Sequence, residues 1–181
     1  MKQVLFVCLG HICRSPSAEA VFNARIEKDG LAEELQCDSA GTAAYHAGDQ
    51  ADYRMKQFAQ KRGYCLTSIS RPVDPERDFD RFDYIIGMDR QNVQDLKSMA
   101  RNENDRRKIS LMTDYCSGKK YDSVPDPYYG GAAGFELVLD ILEDACEGLI
   151  WNFVKAGRKS VIWCGTETVD CSPNLLSRNA Q

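Results

Sequence analysis

Nine residues near the start of the chain, VCLGHICRS at positions 7–15, constrain its fold more than any other stretch. They follow a short apolar run, Gln3–Val7, whose β-forming residues read as a buried strand. They lead into Ser15-Pro16, which has the form of a helix start, with serine at the N-cap and proline at the first helical position. A strand that passes through so short a bend into a helix suits an open α/β sheet, with the bend beyond the strand's carboxyl end. Two cysteines, a histidine and an arginine crowd that bend. Metal ligands, a disulfide staple or a loop wrapped around an anion would each account for them.

The rest of the chain repeats the alternation. Ala18, Val21, Phe22, Ala24 and Ile26 give a helical apolar stripe that ends at Gly30. Leu35–Ser39 reads as a second strand, SAGTAAYHAGDQ as a loop, and Asp52–Arg62 as a helix stopped by Gly63. SRPVDPERDFDRFD, charged and broken by prolines, suits a surface connection with one helical turn. YIIGM (84–88) is a third strand, Asp89 or a neighbour caps a helix through Met99, and residues 108–112 form a fourth strand. A polar loop carrying VPDPYYGG precedes the longest amphipathic helix, Phe135–Val154. Strands and helices alternating at these lengths imply βαβ units and a parallel sheet.

At 181 residues, with 43% hydrophobic and 28% charged, the chain suits one soluble domain with a sizeable core. A net charge of −4 argues against a general nucleic-acid or membrane-surface binder, and Arg106-Arg107-Lys108 is too short a run to reverse that. No apolar stretch is long enough to span a bilayer, and no cleavable leader is expected. Eight cysteines, at 8, 13, 37, 65, 116, 146, 164 and 171, lie in a chain too large to need a disulfide framework. Cys37, Cys65 and Cys146 read as small core hydrophobes, and a reducing, cytoplasmic compartment is expected.

Chemistry favours the anion reading of the bend. Backbone N–H groups at a helix N-terminus, with the helix dipole behind them, bind an anion without any side chain. Arg14 adds a fork of donors that matches two oxygens of a phosphoryl group. Cys8 and Arg14 give Cys-x5-Arg, enough residues to circle one tetrahedral anion. The field that draws phosphate in also favours a thiolate there, and a thiolate is a nucleophile. Cys8, His11 and Cys13 could be three zinc ligands, but no second cluster completes the closed set that structural zinc takes. No metal or other cofactor is expected.

Taken with later stretches, these residues resemble the low-molecular-weight protein tyrosine phosphatases. VCLGHICRSPSAEAVF, SAGT, FDYIIGMDRQN and VPDPYYGG followed by FE occur in order, and the resemblance covers about residues 3–155. It implies a single α/β domain over residues 1–157, a four-stranded parallel sheet flanked by helices on both faces, with 158–181 as a C-terminal extension. It also implies metal-independent hydrolysis of phosphotyrosine. On the resemblance, Cys8 attacks phosphorus and becomes a phosphocysteine, while Arg14 and the amides of Leu9, Gly10, His11, Ile12 and Cys13 hold the equatorial oxygens. Ser15 donates to the thiolate and Ser39 bonds into the loop. Asp126, set between Pro125 and Pro127, protonates the leaving phenolate and then activates water. Tyr45, Tyr128 and Tyr129 form an aromatic rim for the substrate's ring. Asp89 and Asn92 fit a place supporting the site from behind or at a helix start, a structural rather than a catalytic role. The expected partner is a phosphotyrosine protein or small aryl phosphate, met by a monomer.

The chain departs from the family pattern at three places. His11 stands where asparagine is usual, Tyr45 where tryptophan is common, and ADYR where Asp-Pro-Arg is common. Histidine enters the left-handed region less easily than asparagine, so the loop is expected to keep its shape with altered internal hydrogen bonding. Cys13 matches a thiol that shields the nucleophile through a reversible disulfide with Cys8. Two alternatives share the loop. A thioredoxin-coupled arsenate reductase would use Cys164 and Cys171 as a relay, and a catalytically weak module would only bind phosphate.

Overall fold

The computed structural model describes residues 1–128 and 131–161, with side chains as far as Lys155. Four parallel strands, β1 (Lys2–Cys8), β2 (Leu35–Gly41), β3 (Tyr84–Gly87) and β4 (Ile109–Leu111), form one sheet in the order β2-β1-β3-β4. Strand β1 is buried on both faces, and its period of two divides it between two cores. Val4, Phe6 and Cys8 pack with α1 (Arg14–Lys28) and α6 (Ala132–Val161), whereas Leu5 and Val7 pack with Phe79, Phe82 and Leu96 on the other face. The expected fold class is therefore present, with helices on both faces. The chain leaves β1 for β2 through α1, then returns past β1 to β3. That reversal opens a crevice at the carboxyl ends of β1 and β3, beside the Cys8 bend.

Local boundaries differ from the sequence reading where tertiary partners decide them. Helix α1 starts at Arg14 with Cys13 as N-cap, so Ser15 and Pro16 are its second and third residues. Pro16 costs no hydrogen bond there, because first-turn amides have no intrahelical acceptor. Residues Ala40 and Gly41, read as loop, extend β2 in register with β1 as far as Cys8↔Gly41. The segment read as a surface connection contains α3 (Pro75–Arg81). Asp74 caps α3, and its buried Asp78 accepts from Arg71 Nη1 and Asp74 N–H, each at 2.9 Å. Frequent charges hid a helix that buries Phe79.

Helices α2 (Tyr53–Lys61) and α4 (Arg90–Met99) fall as expected, capped by Asp52 and Asp89. A short helix α5 (Glu103–Arg107) and a 3-10 turn (Met112–Tyr115) occupy stretches that carried no periodic signal. Cys146 is buried and Cys37 half-buried, but Cys65 is exposed and is no core residue. The backbone of α6 is continuous through Val161, and Cys164 and Cys171 lie outside the described residues.

Helix α6 reaches its seat only because Gly148 has no side chain. A Cβ at that position would stand 1.9 Å from the Tyr115 carbonyl oxygen, which belongs to backbone and cannot rotate away. Gly148→Ala is expected to cost about 3 kcal/mol or more, through overpacking that shifts α6 from the 3-10 turn. Urea unfolding followed by circular dichroism measures this, and an unchanged midpoint would contradict the packing.

Candidate active site

The bend from Leu9 to Cys13 turns its carbonyl groups outward. Thr42 N–H donates to the Cys8 carbonyl at 2.8 Å, Ala43 N–H to Leu9 at 3.0 Å and Asp52 N–H to Ile12 at 2.8 Å. Ser70 Oγ donates to the Gly10 carbonyl at 3.1 Å, and Ser17 N–H to Cys13 at 3.3 Å. Since the N–H and C=O of a peptide unit point opposite ways, this tethering leaves the N–H side to face inward. His11 makes the turn with φ of 53°, the one positive φ at a non-glycine among the described residues. A cavity of about 390 Å³ lies over the bend, and Cys8, Ile12, Arg14, Tyr45, Asp126 and Tyr128 are among its walls.

Cys8 closes β1 at 2% exposure, with its Sγ 3.1 Å from Ser15 Oγ. The serine hydroxyl has one hydrogen and two acceptors in reach, since the Ala40 carbonyl is also 3.1 Å away. Aimed at Ala40, it accepts from the Cys8 thiol; aimed at Sγ, it serves an ionised sulfur. Ser15 thus stands between the Cys8 sulfur and the Ala40 carbonyl rather than capping α1. Cys13 is also buried, and its thiol is pushed up by burial and then by Asp52 and Cys8.

Arg14 is 3% exposed. Its Nη1 donates to Asp89 Oδ2 at 2.6 Å and to the Val124 carbonyl at 3.3 Å, and its Nη2 donates to Asp126 Oδ2 at 3.0 Å. Burial alone would lower its pKa, but Cys8, Asp89 and Asp126 outweigh burial and raise it. Asp126 keeps its other oxygen on Tyr128 N–H at 3.0 Å, while 45% of its side chain stays exposed. Pro127 is buried beside it. Arg54 packs over both Tyr128 and Phe135, at 5.3 and 5.1 Å from the ring centroids. Tyr45 is 81% exposed at the rim, and Tyr129 lies outside the described residues.

Asp89 was expected only in support, and His46 and Glu19 were not expected at all. Asp89 caps α4 by accepting from Asn92 N–H at 2.7 Å with one oxygen, and with the other it grips Arg14. Its place directly after β3, at the carboxyl edge of the sheet, was the signal. His46 lines the cavity, and a Cβ on Gly10 would stand 3.0 Å from its Cδ2. Glu19 reaches Ser39 from α1 and had no signal beyond its helical position. Ser39 does bond into the loop, through His11 Nε2 at 2.6 Å, and His11 Nδ1 accepts from Arg71 N–H at 2.9 Å. Both imidazole nitrogens are thus committed inside the protein.

A thiol and a guanidinium on one strand-to-helix bend, with a carboxylate facing them, is the arrangement of a cysteine-dependent phosphomonoester hydrolase. The family model described as low molecular weight phosphotyrosine protein phosphatase matches residues 3–160, and the chain belongs to that family. It is 42% identical over 151 residues to the low molecular weight protein-tyrosine-phosphatase of Streptomyces coelicolor, covering 82% of this chain and 91% of that one. A crystal structure of a protein tyrosine phosphatase from Entamoeba histolytica is similar with a TM-score of 0.84 at 50% identity, covering 87% of this chain and 99% of that one. YfkJ of Bacillus subtilis is similar with a TM-score of 0.79 at 38% identity, covering 86% and 96% of the two chains.

The His11 environment sets a pH dependence of stability. Its pKa is pushed down from 6.5 to about 4, first by burial and then by Arg71, against Asp38 and the Arg71 amide. Between those values the unfolded chain binds a proton that the folded chain refuses, so stability falls as pH falls from about 6.5 towards 4. His11→Asn removes that proton linkage. Between about pH 7.5 and about pH 5 the parent protein is expected to lose about 2 kcal/mol more than His11→Asn. Urea unfolding at both pH values measures this, and equal losses would contradict the burial of a neutral imidazole.

Proposed function

We propose that the chain hydrolyses phosphotyrosine and aryl phosphates through a phosphocysteine on Cys8. One observation carries this reading: Cys8, Arg14 and Asp126 wall the same cavity, with Arg14 Nη2 at 3.0 Å from an oxygen of Asp126. A phosphoryl dianion that enters meets the N–H side of the bend and competes with Asp126 for the guanidinium. The displaced Asp126 is then free to face the leaving oxygen. In the first step the Cys8 sulfur attacks phosphorus, the aryl P–O bond breaks, and the departing oxygen takes a proton from Asp126. In the second step Asp126 takes a proton from water as the water oxygen attacks phosphorus. The S–P bond then breaks, releasing phosphate and the Cys8 thiolate.

Tyr45 and Tyr128 line the cavity with flat rings, which supports a phosphotyrosine protein or a small aryl phosphate as partner, with Tyr129 as a further rim residue. The domain of residues 1–157 carries this activity, with 158–181 as an extension to it; the family match over 3–160 supports a single domain of about that span. Six free cysteines among the described residues suit a reducing, cytoplasmic compartment. Among the described residues, no helix is long and apolar enough to cross a membrane.

Turnover of para-nitrophenyl phosphate tests the reading. Cys8→Ser is expected to abolish it, and Asp126→Ala to slow hydrolysis of a phenyl ester of high leaving-group pKa by about 10²- to 10⁴-fold. An unchanged rate in Asp126→Ala on that ester would contradict the acid assignment. After mild peroxide, mass spectrometry is expected to find Cys8 linked to Cys13. Finding Cys8 only as sulfinic or sulfonic acid would contradict that protection.

A further inference from the structure

The hydrogen bonds that support the phosphate loop from behind do not end at Ser39. Arg71 N–H donates to His11 Nδ1, so in the neutral imidazole Nε2 carries the proton and donates it to Ser39 Oγ. The hydrogen of Ser39 in turn goes to Glu19 Oε2, which also accepts from Ser68 Oγ at 3.0 Å. Every donor points the same way, and the series closes on a carboxylate. His11 and Ser39 are buried, whereas Glu19 is half-buried on α1 and lines a separate cavity of about 300 Å³ with Asn23, Cys65 and Ser68. Protons from solvent can therefore reach its carboxylate. Glu19 does not border the Cys8 cavity.

We infer that Glu19 is a positioning residue for the phosphate loop: its ionised carboxylate orients Ser39, and Ser39 holds His11 in the left-handed backbone that bends the loop. The inference rests on the phosphatase reading above. Charges face this series from two other elements, Asp38 on β2 and Arg71 from the segment before α3, and the two pair at 3.0 Å. Burial raises the Glu19 carboxyl above its usual range, opposed by the Ser39 and Ser68 hydrogen bonds, with Asp38 adding to the rise and Arg71 opposing it. Protonation on the acid side therefore removes the charge from the terminal acceptor while His11, held down to about 4, is still neutral.

The test compares kcat/KM for para-nitrophenyl phosphate in wild type and Glu19→Gln, from about pH 5 to about pH 8. Glutamine keeps the shape, removes the charge and mimics the protonated acid. At the upper end the variant is expected to be about tenfold slower. The ratio should fall towards one as pH drops, because wild type then protonates Glu19, while ionisations common to both proteins cancel. A ratio constant with pH overturns the inference. In a Ser39→Ala background, Glu19→Gln should cost less than about twofold; a full tenfold loss there also overturns it, since Glu19 would then act through α1 or Ser68. Should Glu19→Gln not fold, Ser39→Ala alone carries the pH comparison, and a constant ratio to wild type overturns the inference. A wild type inert towards the ester overturns the phosphatase reading and this inference with it. An active wild type with a constant ratio overturns this inference alone.

Discussion

The guanidinium of Arg14 is the hinge of the structure. It is almost fully buried at the first turn of α1, where an unpaired charge would cost several kcal/mol, and two carboxylates and a carbonyl answer it. Asp89 fixes it to the end of β3, Val124 and Asp126 fix it to the loop before α6, and Cys8 lies beneath it on β1. The partners come from the ends of β1 and β3 and from the loop before α6. The ion pairs and the fold therefore need one another: the sheet order brings the partners together, and the buried cation fixes where they sit.

The loop itself is shaped from outside. Its carbonyls are held by amides and a hydroxyl from residues 17, 42, 43, 52 and 70, so the chain spends its carbonyl side on scaffold and keeps its N–H side for an anion. His11 completes the bend at a positive φ, with Arg71 and Ser39 holding both ring nitrogens. Asparagine in that position could offer a similar turn. Histidine reaches further, and in doing so it ties the loop to Ser39 and, through it, to Glu19 on the back of α1.

Much of this was legible in the chain. The Gln3–Val7 run, the Cys-x5-Arg spacing and the strand at residues 84–88 each carry a local signal that tertiary structure reinforces. Ser39 and Asp126 were legible only through the order of stretches shared with a family. What escaped reading depends on partners remote in sequence. Ser15 reads locally as a cap, and only the family resemblance set its hydroxyl beside the sulfur seven residues earlier. Asp78 reads as solvated charge until Arg71 covers it. Asp89 reads as a helix cap, and its second oxygen shows its use only once Arg14, 75 residues away, arrives beside it. Cys65 reads as a core thiol by composition, but nothing packs over it to exclude solvent.

The account turns on Arg14 and the loop amides clasping a tetrahedral oxyanion, and calorimetric titration with inorganic phosphate tests that most directly. Wild type should bind one phosphate per chain, and Arg14→Lys, which keeps the charge but loses the planar fork, should bind about 10- to 100-fold more weakly. Equal affinity in the two proteins, or no phosphate binding by wild type, would contradict it.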